Sequence, residues 1–213
     1  MQIILKNNTF TLLPQKAIWW EEEETILISD LHIGKIAHFR KAGIAVPAKA
    51  AEQNFVRLDK IMKDYFVKRI IFIGDLFHSD VNSEWERFCS WRTQHSEVDM
   101  LLILGNHDRF PLKHYEDICL TVYQNEFQVR GFTLAHHPKE LAEENEYTIS
   151  GHIHPVIRLE GLANQRLKFP CFYFGRQQAI LPSFGSFTGG YAIEVQEGDQ
   201  VVAVVEDKLI KIR

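Results

Sequence analysis

Five times along this chain a short, nearly unbroken apolar run stops at a polar motif rich in aspartate and histidine. Residues 25–29 lead into Asp30-Leu31-His32, residues 69–73 into Gly74-Asp75-Leu76-Phe77-His78, and residues 100–104 into Gly105-Asn106-His107-Asp108. Residues 132–135 then lead into His136-His137, and residues 147–150 into Gly151-His152-Ile153-His154. Runs this short, rich in β-branched residues and apolar on both alternating sets, are what strands buried on both faces look like. The motifs therefore fall at strand C-terminal ends, the edge where open α/β sheets bring distant residues together. Between the first two runs, Ala48, Ala51, Phe55, Leu58, Met62 and Tyr65 form one apolar stripe of a crossover helix starting after Pro47. A second helix fits residues 83–94, with Trp85, Phe88 and Trp91 at similar spacing. After about Val122 the pattern turns β-rich, over residues 127–129, 156–159, 169–174, 179–181, 192–195, 201–205 and 209–212. The simplest layering is an α/β arrangement of two facing sheets with helices outside.

At 213 residues the chain suits one domain, and a hydrophobic fraction of 46% supplies a full core, so no linker is needed. Without a membrane-length apolar run or a signal-type N-terminus, a cytoplasmic location is expected. Cys89, Cys119 and Cys171 stand at unrelated spacings and read as reduced core thiols. The net charge of −4 argues against a broad basic nucleic-acid surface, although bound cations and a local basic patch can invert the field of one face.

Any one aspartate after a strand is most simply a turn or cap residue. Together the five motifs offer enough carboxylate, amide and imidazole donors for two divalent ions. Asp30 with His32, and His152 with His154, put paired donors on one side of extended segments. Asp75 carries two oxygens and can bridge, and Asn106 adds a neutral carbonyl oxygen. Two ions about 3.5–4 Å apart can clamp the attacking and leaving oxygens of a phosphoryl displacement, so phosphoester hydrolysis is the first reading.

The ordered set of motifs resembles the calcineurin-like metallophosphoesterase superfamily. That resemblance implies a four-layer α-β-β-α sandwich over residues 1–213. It places Asp30, His32, Asp75 and His154 on one ion and Asp75, Asn106, His136 and His152 on the other. It makes His107 the residue that meets the phosphoryl group or protonates the leaving oxygen, with Asp108 orienting its imidazole. His137 is an alternative ligand to His136. His78 is either a neighbour of the ligands or a helix-entry residue, and His38, His95 and His114 read as surface or packed histidines.

Further segments narrow the likeness: Asp-Leu-His-Ile-Gly-Lys with residues 39–47, Gly151-His152-Ile153-His154-Pro155 with Arg158, residues 169–172 and residues 181–190. They resemble the PdeM branch, the ligase-associated DNA damage response endonucleases. This implies a manganese-dependent phosphodiesterase, with iron or zinc as alternative metals. It also implies a DNA substrate and functional association with an ATP-dependent DNA ligase and a helicase, as a monomer or a homodimer. Lys35, Arg40, Lys41, Arg109 and Arg158 would hold flanking phosphates, with solvated surface the alternative for Lys35 and Lys41. Phe184, Phe187 and Tyr191 are either base-stacking rings or core packing. Two rival functions remain: hydrolysis of small-molecule or nucleotide phosphoesters, and a non-enzymatic protein-interaction scaffold.

Overall fold

The computed structural model describes residues 1–47, 49–78, 81–139, 146–160, 166–186 and 188–213. Ala48 and Phe187 therefore lie outside the described residues.

The first half builds one seven-stranded sheet. It opens with a meander, β1 (Gln2–Leu5), β2 (Asn8–Leu13) and β3 (Ala17–Trp20), and a 3-10 turn at Glu21–Glu23 leads into β4 (Thr25–Ile28). Then follow α1 (Lys35–Lys41), α2 (Lys49–Asp64), β5 (Arg69–Ile73), α3 (Ser83–Gln94), β6 (Asp99–Ile103), α4 (Leu112–Asp117) and β7 (Leu120–Tyr123). The strands lie side by side in chain order, antiparallel from β1 to β4 and parallel from β4 to β7. Parallel neighbours need crossovers; α2 and α3 are the helices the apolar stripes announce, while α1 and α4 carry no such stripe. Asn82 sets the start of α3: its side-chain oxygen accepts from the backbone N–H of Glu84 at 2.9 Å and of Trp85 at 3.4 Å.

The second half supplies β8 (Glu126–Val129), β9 (Phe132–Ala135), β10 (Thr148–Ser150), β11 (Pro155–Glu160) and β12 (Arg166–Phe174). After these come β13 (Gln178–Ile180), β14 (Tyr191–Ala192), β15 (Gln200–Val205) and β16 (Lys208–Lys211). They form a second mixed sheet in the order β14-β11-β12-β13-β10-β9-β8, with β15 on β12 and β16 on β15.

Period-two alternation explains why the central runs are apolar throughout. Ile26, Ile28, Ile70, Phe72, Met100 and Leu102 face Phe55, Leu58, Phe88, Trp91 and Tyr115 of the helices. Leu27, Ile71, Ile73, Leu101 and Ile103 face the other way, onto Phe132, Leu134, Ile149, Phe172 and Val202 of the second sheet. The molecule is thus two facing mixed sheets with helical cover, as the runs imply. A one-residue slip would exchange the two faces of every strand. Each fully buried side chain is worth roughly 1.5–3 kcal/mol, so packing on both faces holds the register. Among the described residues all four helices precede β7, and none is long and apolar enough to cross a membrane.

Two expectations need adjustment, the strand over residues 192–195 and the core thiols. The segment expected as a strand over residues 192–195 pairs only at Tyr191–Ala192. The cysteines are free, but only Cys171 is a core thiol; Cys89 is half-buried and Cys119 exposed. Trp20 is fully buried, and Trp19 packs on Tyr65 with ring centroids 5.2 Å apart.

Candidate metal centre

Past the sheet edge, the loops after β4 and β5 continue side by side. The backbone N–H of Asp30 donates to Gly74 O (3.1 Å), that of His32 to Asp75 O (2.9 Å) and that of Ile33 to Leu76 O (2.8 Å). The β6 loop joins through the His107 N–H, which donates to Asp75 Oδ1 at 2.9 Å. From the second sheet, Gly151 N–H reaches His136 O, and His152 N–H donates to the Asp30 carboxylate at 3.0 Å. Residues 183–185 stitch the two sheets together. Ser183 Oγ donates to Asp30 O (2.8 Å), Phe184 N–H to Ser29 O and Gly185 N–H to Asp30 O.

Asp30, His32, Asp75, His152 and His154 all have left-handed backbone, with φ between 48° and 68°. That conformation costs an L-residue roughly 1–2 kcal/mol, and such residues gather where surrounding structure over-determines them, typically at functional sites. Here the reversal points successive side chains into one space.

The polar atoms there converge. His154 Nε2 lies 3.2 Å from Asp30 Oδ1, His32 Nε2 3.9 Å from Asp75 Oδ2, and His136 Nε2 3.6 Å from the same Asp75 oxygen. His152 Nδ1 and His136 Nε2 face each other at 3.1 Å. Two sets, Asp30-His32-His154 and Asp30-Asp75-His136, each bring three donor atoms within 4.8 Å of one another. His32 Nε2 and His154 Nε2 are buried with no hydrogen-bond partner among the described residues. The outer nitrogens, by contrast, are engaged: His136 Nδ1 faces Ile73 O at 3.3 Å and His154 Nδ1 faces Gly189 O at 3.0 Å. A proton on those outer nitrogens leaves the inner ones as bare acceptors, the tautomer a metal requires. Burial drives His32 well below the ordinary imidazole range, helped by Lys35 and neighbouring rings, and burial likewise lowers His152 and His137. Neutral imidazoles, carboxylates and unpartnered inner nitrogens fit a divalent ion of the Mn, Fe or Zn type.

Around this centre the sequence expectations divide. Asn106 stands on the β6 loop and lines, with His136 and His137, an open cavity of about 440 Å³. His137 is exposed, yet its ring lies 4.1 Å from that of His152, and it makes a third cluster with His136 and His152. His78 is a neighbour of the donors rather than a helix-entry residue: its Nδ1 is 3.4 Å from His32 Nδ1 and its ring stacks on exposed His107 at 4.4 Å. Burial, with His107, Lys35 and His38 around it, pushes His78 down to about 4, so it is neutral at physiological pH. Lys35 sits close enough to Asp75 and Asp30 to feel both carboxylates. Arg109 Nε donates to Asn106 O at 2.8 Å, while Arg40 on α1 and Arg158 on β11 are exposed. Phe184 is fully buried and is core packing, whereas Tyr191 is exposed.

Asp108 requires a correction. It was expected to orient the His107 imidazole, but its carboxylate turns inward and accepts from three backbone N–H groups: Phe77 and Gly105, each at 2.9 Å, and Leu76 at 3.3 Å. Burial pushes its carboxyl up to about 6 against those three donors. Asp108 thus ties the β5 loop to the β6 loop and acts as a positioning residue. Asp108→Ala should cost about 3–5 kcal/mol by orphaning buried donors; a loss under about 1 kcal/mol in denaturant titration would refute this role.

Two other positioning residues were not legible in the sequence. Ser183 falls in the 181–190 segment that carries the resemblance, but nothing in that segment shows that its hydroxyl would hold Asp30. Glu84, buried on α3, accepts from Gly34 N–H (2.9 Å) and Ala37 N–H (2.8 Å), capping α1 directly after His32. Gly74 leaves no room for a side chain: a Cβ there would sit 2.0 Å from His136 Nδ1, on a backbone of φ 75°. Gly74→Ala should therefore push the His136 ring aside and lower metal content at least about tenfold, as loss of outer support to a ligand does. Elemental analysis of the purified variant checks this, and wild-type metal content would contradict it.

A family model for calcineurin-like phosphoesterase matches residues 24–183. No curated protein matches the sequence. Among solved structures, the crystal structure of Pseudomonas putida nuclease MPE is similar over 100% of this chain and 99% of that one, with TM-score 0.85 and 27% identity. A conserved uncharacterized protein from Streptococcus pneumoniae TIGR4 covers 85% of this chain and 82% of its own at TM-score 0.33 and 13% identity, a likeness that carries no argument.

Proposed function

Because this chain belongs to the calcineurin-like phosphoesterase family, and is thus a metal-dependent phosphoesterase, we propose that it is a DNA endonuclease working with two divalent ions. Asp30, His32, Asp75 and His154 would hold one ion, and Asp75, Asn106, His136 and His152 the other, with manganese the first candidate and iron or zinc next. The observation that carries this reading is the pair of buried, unpartnered nitrogens, His32 Nε2 and His154 Nε2, set against the carboxylates of Asp75 and Asp30. Likeness to a nuclease over the full chain supports nucleic acid as the substrate.

Ions bound there would supply Lewis-acid charge to the phosphoryl oxygens and acidify a water. The chain's own groups do the rest. Exposed His107, held by its N–H on Asp75, gives a proton to the departing oxygen of the cleaved strand. Neutral His78 stacks against His107 and keeps it in place without competing for charge. Asp108 fixes the loop from which His107 projects. Arg109, Arg40, Lys35 and Arg158 contact phosphates on either side of the scissile bond. A role in DNA repair beside an ATP-dependent ligase and a helicase, as a single cytoplasmic domain over residues 1–213, completes the proposal. Three free cysteines suit a reducing compartment.

The test loads the protein with Mn²⁺ and compares a closed circle of single-stranded DNA, a nitrophenyl phosphodiester and a phosphomonoester, with His107→Ala as the blank. Linearised circles are the expected result. Turnover of small esters with the circle intact would move the function to nucleotide or small-molecule phosphoesters.

A further inference from the structure

A second cavity, of about 600 Å³, opens where the β2–β3 turn, α2, β12 and the β15–β16 turn meet. Its wall carries Lys16, Arg57 and Lys60, with Phe169 and Pro170 beside them and Glu206 and Asp207 from the β15–β16 turn. Lys60 is already paired with Asp64 at 2.9 Å. The other two cations are not so served. Lys16 Nζ donates to Gly185 O at 3.2 Å; the Arg57 Nη2 group donates to Asn54 Oδ1 at 2.6 Å and lies 3.4 Å from Ser186 Oγ. The guanidinium also stacks over the Phe184 ring at 4.6 Å. All these partners are neutral, and among the described residues neither cation has an ion pair within 4.0 Å. Arg57 Nε is buried with no hydrogen-bond partner among the described residues. Two half-buried like charges on one cavity wall, with a buried guanidinium N–H left over, repel one another and lose hydration unless an anion joins them.

We infer that this cavity is a second anion site, separate from the metal centre, that takes a phosphate group between Lys16 and Arg57, either free phosphate or the phosphate of a nucleotide. An Arg fork and an ammonium are the donors that bind phosphate oxygens by charge-assisted hydrogen bonds. Phe169 and Pro170 offer an apolar wall on which a nucleotide's base can rest. Burial, with Arg57 nearby, lowers Lys16 well below the ordinary amine range, and a bound anion reverses that penalty.

The site is joined to the metal centre by one segment. Lys16 and Arg57 hold Gly185 and Ser186 from the cavity side, while Ser183, Phe184 and Gly185 hold Ser29 and Asp30 from the other. Phosphate between the two cations therefore stiffens the support of Asp30.

The test is thermal unfolding of the full chain in chloride, in inorganic phosphate and in a nucleoside 5′-monophosphate at equal ionic strength. At ten times its dissociation constant the anion should raise Tm by about 3–6 °C in the wild type. The metal centre also meets phosphate, so the readout is the part of that rise lost in Arg57→Gln and in Lys16→Gln. Each variant is compared with itself in chloride, which makes its baseline stability immaterial; should one fail to fold, the other carries the test. A loss of half or more of the rise in a folded variant is the expected result. The full wild-type rise in a folded variant, or no rise in the wild type, overturns the inference. Equal effects of the two anions identify a free-phosphate site, and a nucleotide acting at tenfold lower concentration identifies a nucleotide site. The outcome is independent of whether the chain cuts DNA.

Discussion

Asp75→Ala should lower hydrolysis at least about 10⁴-fold, about 5.5 kcal/mol of transition-state stabilisation, and purify with less than half the wild-type metal content. Asp75 lies between the two halves of the centre. Its Oδ2 is 3.9 Å from His32 Nε2 and 3.6 Å from His136 Nε2, and its Oδ1 accepts the His107 N–H. Alanine deletes the oxygen common to both sides and frees the His107 loop in one step. The stability effect should carry the opposite sign in chelator. Asp30 and Asp75 lie in one buried cluster with Asp108 close by, so removing a carboxylate relieves repulsion when no cation is bound. The variant should then unfold at or above the wild-type temperature in EDTA and gain nothing from added Mn²⁺. Wild-type metal content with full activity would remove Asp75 from the centre.

His107→Ala should keep its metals and lose about 10²–10⁴-fold in rate on DNA. Its ring is exposed, stands 5.4 Å from that of His32 by centroids, and belongs to none of the metal-capable clusters found among the described residues. A leaving group that needs no proton separates its roles. On a nitrophenyl diester, whose phenolate departs unaided, the variant should lose at least tenfold less than on DNA. Equal losses on both substrates would assign His107 to stabilising phosphoryl charge instead of donating a proton.

Much of this architecture is legible in the chain because burial writes it there. The runs at 69–73 and 132–135 are strands with those bounds, since residues that must face helices on one side and a sheet on the other have to be apolar at every position. The bounds of α3 follow from Asn82 and the Trp85-Phe88-Trp91 stripe. The opening meander escapes such reading. Asn8 interrupts the apolar pattern of β2, and only the fold shows that its buried amide accepts from Trp20 Nε1 at 3.0 Å. The short helix α1 depends on Glu84, fifty residues away, for its cap. For the site, motif order brings Asp30, His32, Asp75, His136, His152 and His154 to one edge, but Asp108 shows the limit. Adjacent to His107 in sequence, it spends its carboxylate on the neighbouring loop, a choice set by which N–H groups tertiary structure leaves without acceptors.

The seam between the two sheets has a consequence for how the protein comes into being. Asp30, His32, Asp75 and Asn106 hang from the sheet made first, while His136, His152 and His154 hang from the sheet made second. A chain leaving the ribosome carries only half a centre until His154 has emerged, and the clasp of Ser183 and Gly185 on Asp30 follows later still. Truncated or half-made copies lack the donors that the second sheet contributes. The cluster of carboxylates and imidazoles is therefore a product of the finished fold and belongs to neither sheet alone.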